Sequence, residues 1–235
     1  MNLNKIKGII FDLDDTLFDC TGQLTGAARH RAAEIFSKAC PQYSIASWVQ
    51  WQETLSQSLG SSGALIKMGQ QHHLSPDLVA RARAAYNLDL VEHITPFPDT
   101  PKTLTQLAQR GYKLTLVTSG HPVRQRQKIE RLQLTHHFSE KNGTLVLHDD
   151  QKSSDKTPFI QQAANHLNLP NHTILAVGDK LDAEITSANT LGMTTVRMRH
   201  GRQKDRLPQT PQERPDIEIT HLEELLLLLP QKPPH

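Results

Sequence analysis

Three polar side chains suited to phosphoryl chemistry follow short apolar runs of the sequence. Asp12 comes directly after one run, Thr118 directly after a second, and Asp179 follows a third with one glycine between. If these runs are parallel strands, their carboxyl ends lie at one edge of the sheet, where such sheets bind ligands. The two acids and the hydroxyl are therefore expected to converge although they lie far apart in the chain. Such a set predicts a site for a metal ion and a phosphate group.

A further carboxylate, Asp14, stands two residues after Asp12. Such a pair can divide the chemistry, because one carboxylate can attack phosphorus and help to hold Mg²⁺, a hard ion that prefers oxygen, while the other transfers a proton. An isolated pair would be explained more simply as an acidic turn or a helix cap. Here the pair follows the apolar residues Ile9–Phe11, and a buried strand that runs into carboxylates is costly without a counter-ion. The arrangement favours a functional site.

Five apolar runs have strand character, and helical patterns separate most of them, which indicates βαβ units. The expected strands span residues 6–11, 114–117, 144–147, 174–177 and 194–198. The expected crossover helices span residues 101–110, 122–132, 158–167 and 182–191, and three of them have proline near the first turn. The predicted fold class is α/β, with a Rossmann-like, doubly wound parallel sheet.

Residues 19–95 interrupt this alternation, because they contain several helical patterns and no strand run. We therefore expect an α-helical domain over residues 19–96, inserted into an α/β core formed by residues 1–18 and 97–235. Its apolar positions, including Trp48 and Trp51, are expected to form the core of a helical bundle rather than to bind a ligand.

The composition excludes several classes of protein. Charged residues make up 21% of the chain and the formal net charge is only +2, so a basic surface for nucleic acid is not expected. Two cysteines are too few for a four-thiolate zinc site and fit a reducing compartment. The run Ile9–Phe11 ends too early for a signal peptide, and Leu225–Leu229 is too short to span a bilayer. We expect a cytoplasmic protein without nucleic-acid or membrane partners.

Common nucleotide and metal motifs are missing from the sequence. It contains no Walker A loop, no G-x-G-x-x-G fingerprint and no H-E-x-x-H motif. A calcium loop that began at Asp12 would need an acid or Asn at position 16 and glycine at position 17, where Thr16 and Leu17 stand. The histidine pairs at 72–73 and 136–137 are interpreted as surface residues.

Three strings resemble motifs of the haloacid dehalogenase superfamily, in the order in which that family has them. Residues 11–17, FDLDDTL, resemble its first motif, D-x-D-x-T after a hydrophobic strand. Residues 116–120, LVTSG, resemble the second motif, a strand that ends in Thr or Ser. Residues 177–184, VGDKLDAE, resemble the fourth motif, Gly-Asp with a later acid. The similarity covers nearly the whole chain outside the helical insert.

This resemblance implies a Mg²⁺-dependent phosphatase and a role for each matching residue. Asp12 is implied to form an aspartyl-phosphate, and Asp14 to act as general acid and then as general base for water. Thr118 and the backbone N–H of Ser119 are implied to bind the phosphoryl oxygens. Asp179 is implied to bind Mg²⁺ with Asp12 and the backbone carbonyl of Asp14. Charge neutralisation and fixed donors of this kind suit phosphoryl transfer.

Two positions depart from the family pattern. The third motif is a lysine shortly before a helix, often followed by Pro-x-Pro, and we assign it to Lys156. Lys156 is expected to bridge Asp12 and the phosphoryl group, and Lys152 is the alternative. The second acid of the fourth motif is most often Asp, whereas this chain has Glu184. Glu184 is one methylene longer, so it is expected to support the metal through water or the loop backbone, and Asp182 is the substitute.

Other functions remain open to different degrees. The dehalogenase branch of the superfamily needs neither Mg²⁺ nor a second carboxylate in the first motif, so Asp14 and Asp179 argue against it. A phosphomutase shares all of these residues and is excluded only weakly. In a response-regulator receiver the acidic pair precedes the strand of the nucleophile, so the chain order argues against that class. A catalytically idle relative that binds phosphorylated ligands is the remaining alternative.

The insert resembles the helical cap that closes over the site in this superfamily, which implies a small phosphorylated metabolite as substrate. Lys67, His72 and Arg83 are candidates for contact with the leaving group, although a surface position suits each of them better. The protein is expected to be a monomer or a homodimer.

Overall fold

A computed structural model describes residues 2–88, 91, 93–148 and 155–231. Lys152, the alternative for the third motif, lies outside these residues. The chain divides into two compact units, one formed by Met1–Cys20 with Val91–His235 and the other by Thr21–Leu90.

The first unit contains one parallel sheet. Its strands are β1 (Gly8–Phe11), β2 (Lys113–Ser119), β3 (Leu145–His148), β4 (Ile174–Gly178), β5 (Thr194–Met198) and β6 (Ile217–Ile219). The strand order is β3-β2-β1-β4-β5-β6, and every neighbouring pair is parallel. The predicted α/β class with a parallel sheet is thereby confirmed. Strand β6 was not expected from the sequence.

The helices alternate with the strands outside the insert. In chain order they are α1 (Gly26–Ala39), α2 (Ile45–Gln71), α3 (Pro76–Tyr86), α4 (Thr100–Gln109), α5 (Pro122–Arg131), α6 (Thr157–Leu167), α7 (Thr186–Thr190) and α8 (Leu225–Leu228). Proline occupies the first turn of α4, α5 and α6, where its missing N–H leaves no hydrogen bond unmade. No helix in the described part of the chain combines the length and the apolar character needed to cross a bilayer.

The helix expected over residues 182–191 is shorter than predicted. A π-helical turn, Leu181–Ile185, precedes α7, and the N–H of Ile185 donates to the carbonyl of Lys180 at 3.2 Å. The wider turn accommodates one more residue than an α-helical turn. Glu184 lies within it.

Apolar side chains of the central strands form a core beneath α6. Ile10 of β1, Val117 of β2 and Ala176 of β4 pack in one buried cluster with Ile160 and Ala164 of α6. Both faces of a parallel sheet are normally covered, so its strands read as continuous apolar runs. This core fixes the strand ends that carry the polar residues.

The inserted unit consists of α1, α2 and α3. Trp48 is fully buried, and its ring lies 5.1 Å from that of Phe36 between ring centroids. Trp51 stacks on the half-buried ring of His72 at 4.8 Å. The tryptophans therefore belong to the bundle core, and the surface expectation for His72 is wrong because aromatic rings cover it. Lys67 is exposed and Arg83 is half-buried.

Candidate active site

The first set of predicted residues stands at adjacent strand ends. Asp12 directly follows β1, and its N–H donates to the carbonyl of Val177 on β4 at 2.9 Å. Thr118 is the last residue but one of β2, and Asp179 directly follows β4. Because β1 lies between β2 and β4 and all three run parallel, these residues share one edge of the sheet.

Lys156 connects Asp12 with Glu184. It immediately precedes α6, and its Nζ lies 2.6 Å from Asp12 Oδ1 and 2.6 Å from Glu184 Oε1. The lysine side chain is only 2% exposed, and the two carboxylates are nearly as buried. A buried ammonium needs such partners, because an unpaired charge in a low-dielectric environment is very costly.

The π-helical turn directs the two acids of the fourth motif to different places. Glu184 Oε2 accepts a hydrogen bond from the backbone N–H of Lys180 at 3.1 Å, while its other oxygen contacts Lys156. Asp182 is half exposed and pairs with Arg206 at 2.8 Å. The structure thus brings Glu184, and not Asp182, into contact with Lys156.

Asp14 forms its contacts with α5, the helix that follows Thr118. Both carboxylate oxygens of Asp14 lie within hydrogen-bond distance of Lys128 Nζ, at 2.8 Å and 2.7 Å. Gln125 Nε2 donates to Asp14 Oδ2 at 3.3 Å and also to the Thr118 hydroxyl oxygen. One helix therefore contacts two of the residues predicted to act on the substrate.

The end of β2 is held by the neighbouring strand β3. Ser119 Oγ lies 2.9 Å from His148 Nδ1, and the N–H of Gly120 donates to the carbonyl of His148 at 2.9 Å. Gly120 has a φ of 141°, and a Cβ there would lie 3.3 Å from the Gln125 side chain. Glycine thus permits the turn after Ser119. His148 is buried and stacks on Phe159 at 4.2 Å.

The buried groups around Asp12 do not balance in charge. Three carboxylates, those of Asp12, Asp179 and Glu184, interact with the ammonium groups of Lys156 and Lys180. Burial raises the pKa of Asp12 to about 6 although Lys156 opposes this, and burial also raises the pKa of Asp179 although Lys180 opposes this. Burial would raise the pKa of Glu184 too, but the charges of Lys156 and Lys180 and the hydrogen bonds of Glu184 together outweigh it, and the pKa is lowered. The cluster carries an excess of negative charge when all three acids are ionised.

The residues around Asp12 fit a divalent cation. Within the described part of the chain, Asp12 Oδ2 and Asp179 Oδ1 are buried oxygens with no hydrogen-bond partner. Buried carboxylate oxygens without a donor suit a hard cation that takes oxygen ligands, as Mg²⁺ does. The excess negative charge favours the same ligand.

A second group of potential metal ligands lies after β1. Asp15, Asp19 and His200 each place one ligand atom within 4.8 Å of the others. His200 Nε2 is 3.1 Å from Asp19 Oδ1, so an ion pair accounts for two members of this group. The sequence interpretation assigned no role to these three residues.

Four further residues at the site were not predicted from the sequence. Lys128, Gln125 and His148 contact predicted residues directly, and Lys180 acts electrostatically on Asp179. Gln125 and Lys128 stand three residues apart on a helix that begins just after Thr118, which places them on one helical face. This three-residue spacing is the feature of the sequence that could have indicated that Gln125 and Lys128 face the same site.

The sequence is similar to those of known proteins over most of its length. The model of the family described as haloacid dehalogenase-like hydrolase matches residues 9–198. The chain is 34% identical over 230 residues to the glyceraldehyde 3-phosphate phosphatase of Methanopyrus kandleri, covering 94% of this chain and 96% of that protein. It is 25% identical over 239 residues to the phosphoglycolate phosphatase of Neisseria gonorrhoeae, covering 98% and 96% respectively.

The fold is also found in a crystal structure of a predicted phosphoglycolate phosphatase from Haemophilus somnus. The two structures superpose with a TM-score of 0.72 at 21% sequence identity, over 97% of this chain and 99% of the other. At this identity the similarity establishes the fold alone.

Proposed function

The chain belongs to the haloacid dehalogenase-like hydrolase family and is a phosphatase, and on that premise we propose that it hydrolyses a small phosphomonoester through a phosphorylated Asp12. The contact between Asp12 and Lys156 carries this proposal. A nucleophilic carboxylate must approach an anionic phosphoryl group, and a buried ammonium 2.6 Å from that carboxylate reduces their repulsion.

The proposed first step forms a bond between a carboxylate oxygen of Asp12 and phosphorus, while the bond from phosphorus to the leaving-group oxygen breaks. Protonated Asp14 gives its proton to that oxygen. The Thr118 hydroxyl and the backbone N–H of Ser119 would hold the other phosphoryl oxygens, as fixed donors do in phosphoryl transfer.

In the proposed second step, water attacks the phosphorus of phosphorylated Asp12 and gives a proton to Asp14. Phosphate leaves, and the Asp12 carboxylate is restored. Burial would raise the pKa of Asp14, but Lys128, with smaller contributions from Lys180 and Gln125, outweighs this and the pKa is lowered. Lys128 therefore favours the charged form of Asp14, which is the form that accepts a proton from water.

Asp12, Asp179 and the backbone carbonyl of Asp14 are proposed to hold Mg²⁺. The bound ion would neutralise charge between the nucleophile and the phosphoryl group. Lys156 and Glu184 would keep Asp12 oriented beside it, since partners of metal-binding groups commonly fix their geometry. The buried oxygens Asp12 Oδ2 and Asp179 Oδ1 support this assignment.

The substrate is proposed to be a small phosphorylated metabolite. The relatives named above act on glyceraldehyde 3-phosphate and on phosphoglycolate, and both compounds are phosphomonoesters with short carbon chains. These two compounds are therefore the first candidates for this chain.

The test is release of inorganic phosphate from glyceraldehyde 3-phosphate, phosphoglycolate, sugar phosphates, nucleotide monophosphates and a phosphoprotein, with Mg²⁺ held constant. We expect the highest kcat/KM with one of the short-chain esters.

Asp12→Asn keeps the shape of the side chain but removes the nucleophile, so phosphate release should fall by several orders of magnitude. A phosphomutase would transfer the phosphoryl group within or between substrate molecules without releasing inorganic phosphate. A catalytically inactive relative would bind the phosphorylated compound without hydrolysing it. Activity of Asp12→Asn above about a tenth of the wild-type value would contradict the proposal.

A further inference from the structure

Lys128 is a buried cation whose contribution to the proposed chemistry has so far been limited to the charge of Asp14. It lies in the last turn of α5, with a side chain only 5% exposed. Its Nζ contacts both oxygens of Asp14, lies 3.9 Å from the sulfur of Cys20, and is 5.9 Å from the centre of the Phe18 ring. All of these partners follow β1 directly, on the segment that carries the acid–base candidate.

Gln125 extends this contact to the second motif. Its side chain is buried, and one amide group donates to both Asp14 and Thr118. Gln125 and Lys128 are three residues apart, so both lie on the face of α5 that meets Asp14. Both side chains contact Asp14, and Gln125 also joins it to Thr118.

Stability alone does not explain a buried lysine at this place. Lys128 Nζ lies 2.8 Å and 2.7 Å from the two carboxylate oxygens of Asp14, so the contact is an ion pair. Replacing such a pair with apolar residues of similar volume is often neutral or stabilising, because desolvation offsets the attraction. A buried pair next to the predicted nucleophile is better explained by the geometry it imposes.

We propose that Lys128, together with Gln125, is a positioning residue that holds the Asp14 carboxylate in the orientation needed for both proton transfers. The inference rests on the proposed function, since it gives Asp14 the proton-transfer role described above. In this proposal Lys128 acts through its contacts with the Asp14 oxygens and not on the substrate directly.

The two halves of the reaction should respond differently when Lys128 is lost. Attack of Asp12 on an activated aryl phosphate needs no proton for its leaving group, so phosphoenzyme formation should continue. Hydrolysis of the phosphoenzyme needs a correctly placed base, so this step should slow. The phosphoenzyme should therefore accumulate, which a general loss of structure would not produce.

The experiment compares full-length wild type with Lys128→Met, which keeps the length of the side chain and removes its charge. Each enzyme is mixed with Mg²⁺ and 4-nitrophenyl phosphate, and the acid-stable protein-bound phosphate is measured by rapid quench. The matched control is Arg126→Gln on the same helix, which removes an exposed ion pair with Glu140 at 2.9 Å. We expect Lys128→Met to slow dephosphorylation by about 10–100-fold, as loss of an orienting partner commonly does, while Arg126→Gln behaves as wild type.

The double variant Lys128→Met/Asp14→Asn separates positioning from a structural effect. If Lys128 acts through Asp14, Lys128→Met should change dephosphorylation by less than about twofold in the Asp14→Asn background, because coupled residues are non-additive. An equal loss in both backgrounds would overturn the inference. So would wild-type dephosphorylation in Lys128→Met when Asp14→Asn accumulates phosphoenzyme.

Folding of Lys128→Met is checked by thermal unfolding, because the substitution leaves the partly buried Asp14 carboxylate without its ion-pair partner. If this variant does not fold, Gln125→Leu removes the amide that joins Asp14 and Thr118 and should show the same accumulation; unchanged kinetics there would refute the inference. If the proposed function itself is wrong, the experimental outcome differs from the outcomes above. In that case Asp12→Asn would keep its activity and no enzyme would show phosphate bound through Asp12.

Discussion

Lys156 Nζ and Asp12 Oδ1 lie 2.6 Å apart, although 144 residues separate them in the chain. The contact exists because Asp12 follows β1 and Lys156 lies just before α6, at the same edge of the sheet. It joins the first motif to the lysine assigned to the third, and it leaves the second oxygen of Asp12 free of hydrogen-bond donors among the described residues.

Lys156→Met should reduce kcat/KM by about 10²–10³-fold, since it removes a fixed positive charge beside the reacting carboxylate. It should also lower the free energy of unfolding by about 3–5 kcal/mol, because Asp12 and Glu184 lose a buried partner. Steady-state kinetics and chemical denaturation measure the two effects. The control is Lys113→Met, which removes a hydrogen bond to Leu167 O at the opposite end of β2. Equal kinetic losses in both variants would show that Lys156 has no special role.

Asp14→Asn should slow turnover of poor leaving groups by about 10²–10⁴-fold, the usual effect of losing acid–base assistance. Phosphoenzyme formation from an activated aryl phosphate should be affected much less, so labelled protein should accumulate in a rapid-quench measurement. Normal decay of the label in this variant would assign proton transfer to another group.

Mg²⁺ should be required for activity, with Mn²⁺ as a possible replacement, and Ca²⁺ should inhibit because it expands the coordination shell. Binding should also be visible without catalysis, since a ligand at 100 times its Kd stabilises the folded state by about 2.7 kcal/mol. Thermal unfolding with and without Mg²⁺ measures this shift. Asp179→Asn should abolish it, whereas Asp205→Asn, at an exposed acid, should keep it. An unchanged shift in Asp179→Asn would place the ion elsewhere, with Asp15, Asp19 and His200 as the first alternative.

Glu184→Gln should reduce kcat/KM by about 10–100-fold, since the amide no longer balances the charge of Lys156 and orients Asp12 less firmly. Asp182→Asn should leave kcat/KM close to wild type, because Asp182 pairs with Arg206 rather than with Lys156. The two variants differ by only two positions in one turn, which makes them a close comparison. A larger loss in Asp182→Asn would reverse the assignment of the second acid.

The strand ends could be predicted from the sequence because buried parallel strands consist of nearly continuous apolar residues. That pattern predicts, from the sequence alone, that Asp12, Thr118 and Asp179 stand at strand ends. Strand β6 escaped prediction because it has three residues, and Glu218 in its middle is exposed. An edge strand of this length does not contain an apolar run that the sequence pattern could reveal.

The contacts of charged side chains were harder to predict than the elements. Lys128 and Asp14 are 114 residues apart, and a lysine on an amphipathic helix normally faces water. The π-helical turn before α7 was also missed, because the helical pattern there does not reveal one additional residue. In both cases tertiary contacts, rather than local sequence preference, determine the outcome.

The strand order has a consequence for synthesis on the ribosome. Strand β1 leaves the exit tunnel well before one of its two neighbours, β4, which begins at Ile174. At ~5–20 residues per second, β1 waits on the order of ten seconds or more for that partner. Its apolar residues and unpaired edge remain open to other nascent chains during this interval. Faster translation, or a chaperone that covers β1, should therefore raise the yield of native enzyme. The increase should exceed that obtained by lowering the growth temperature alone.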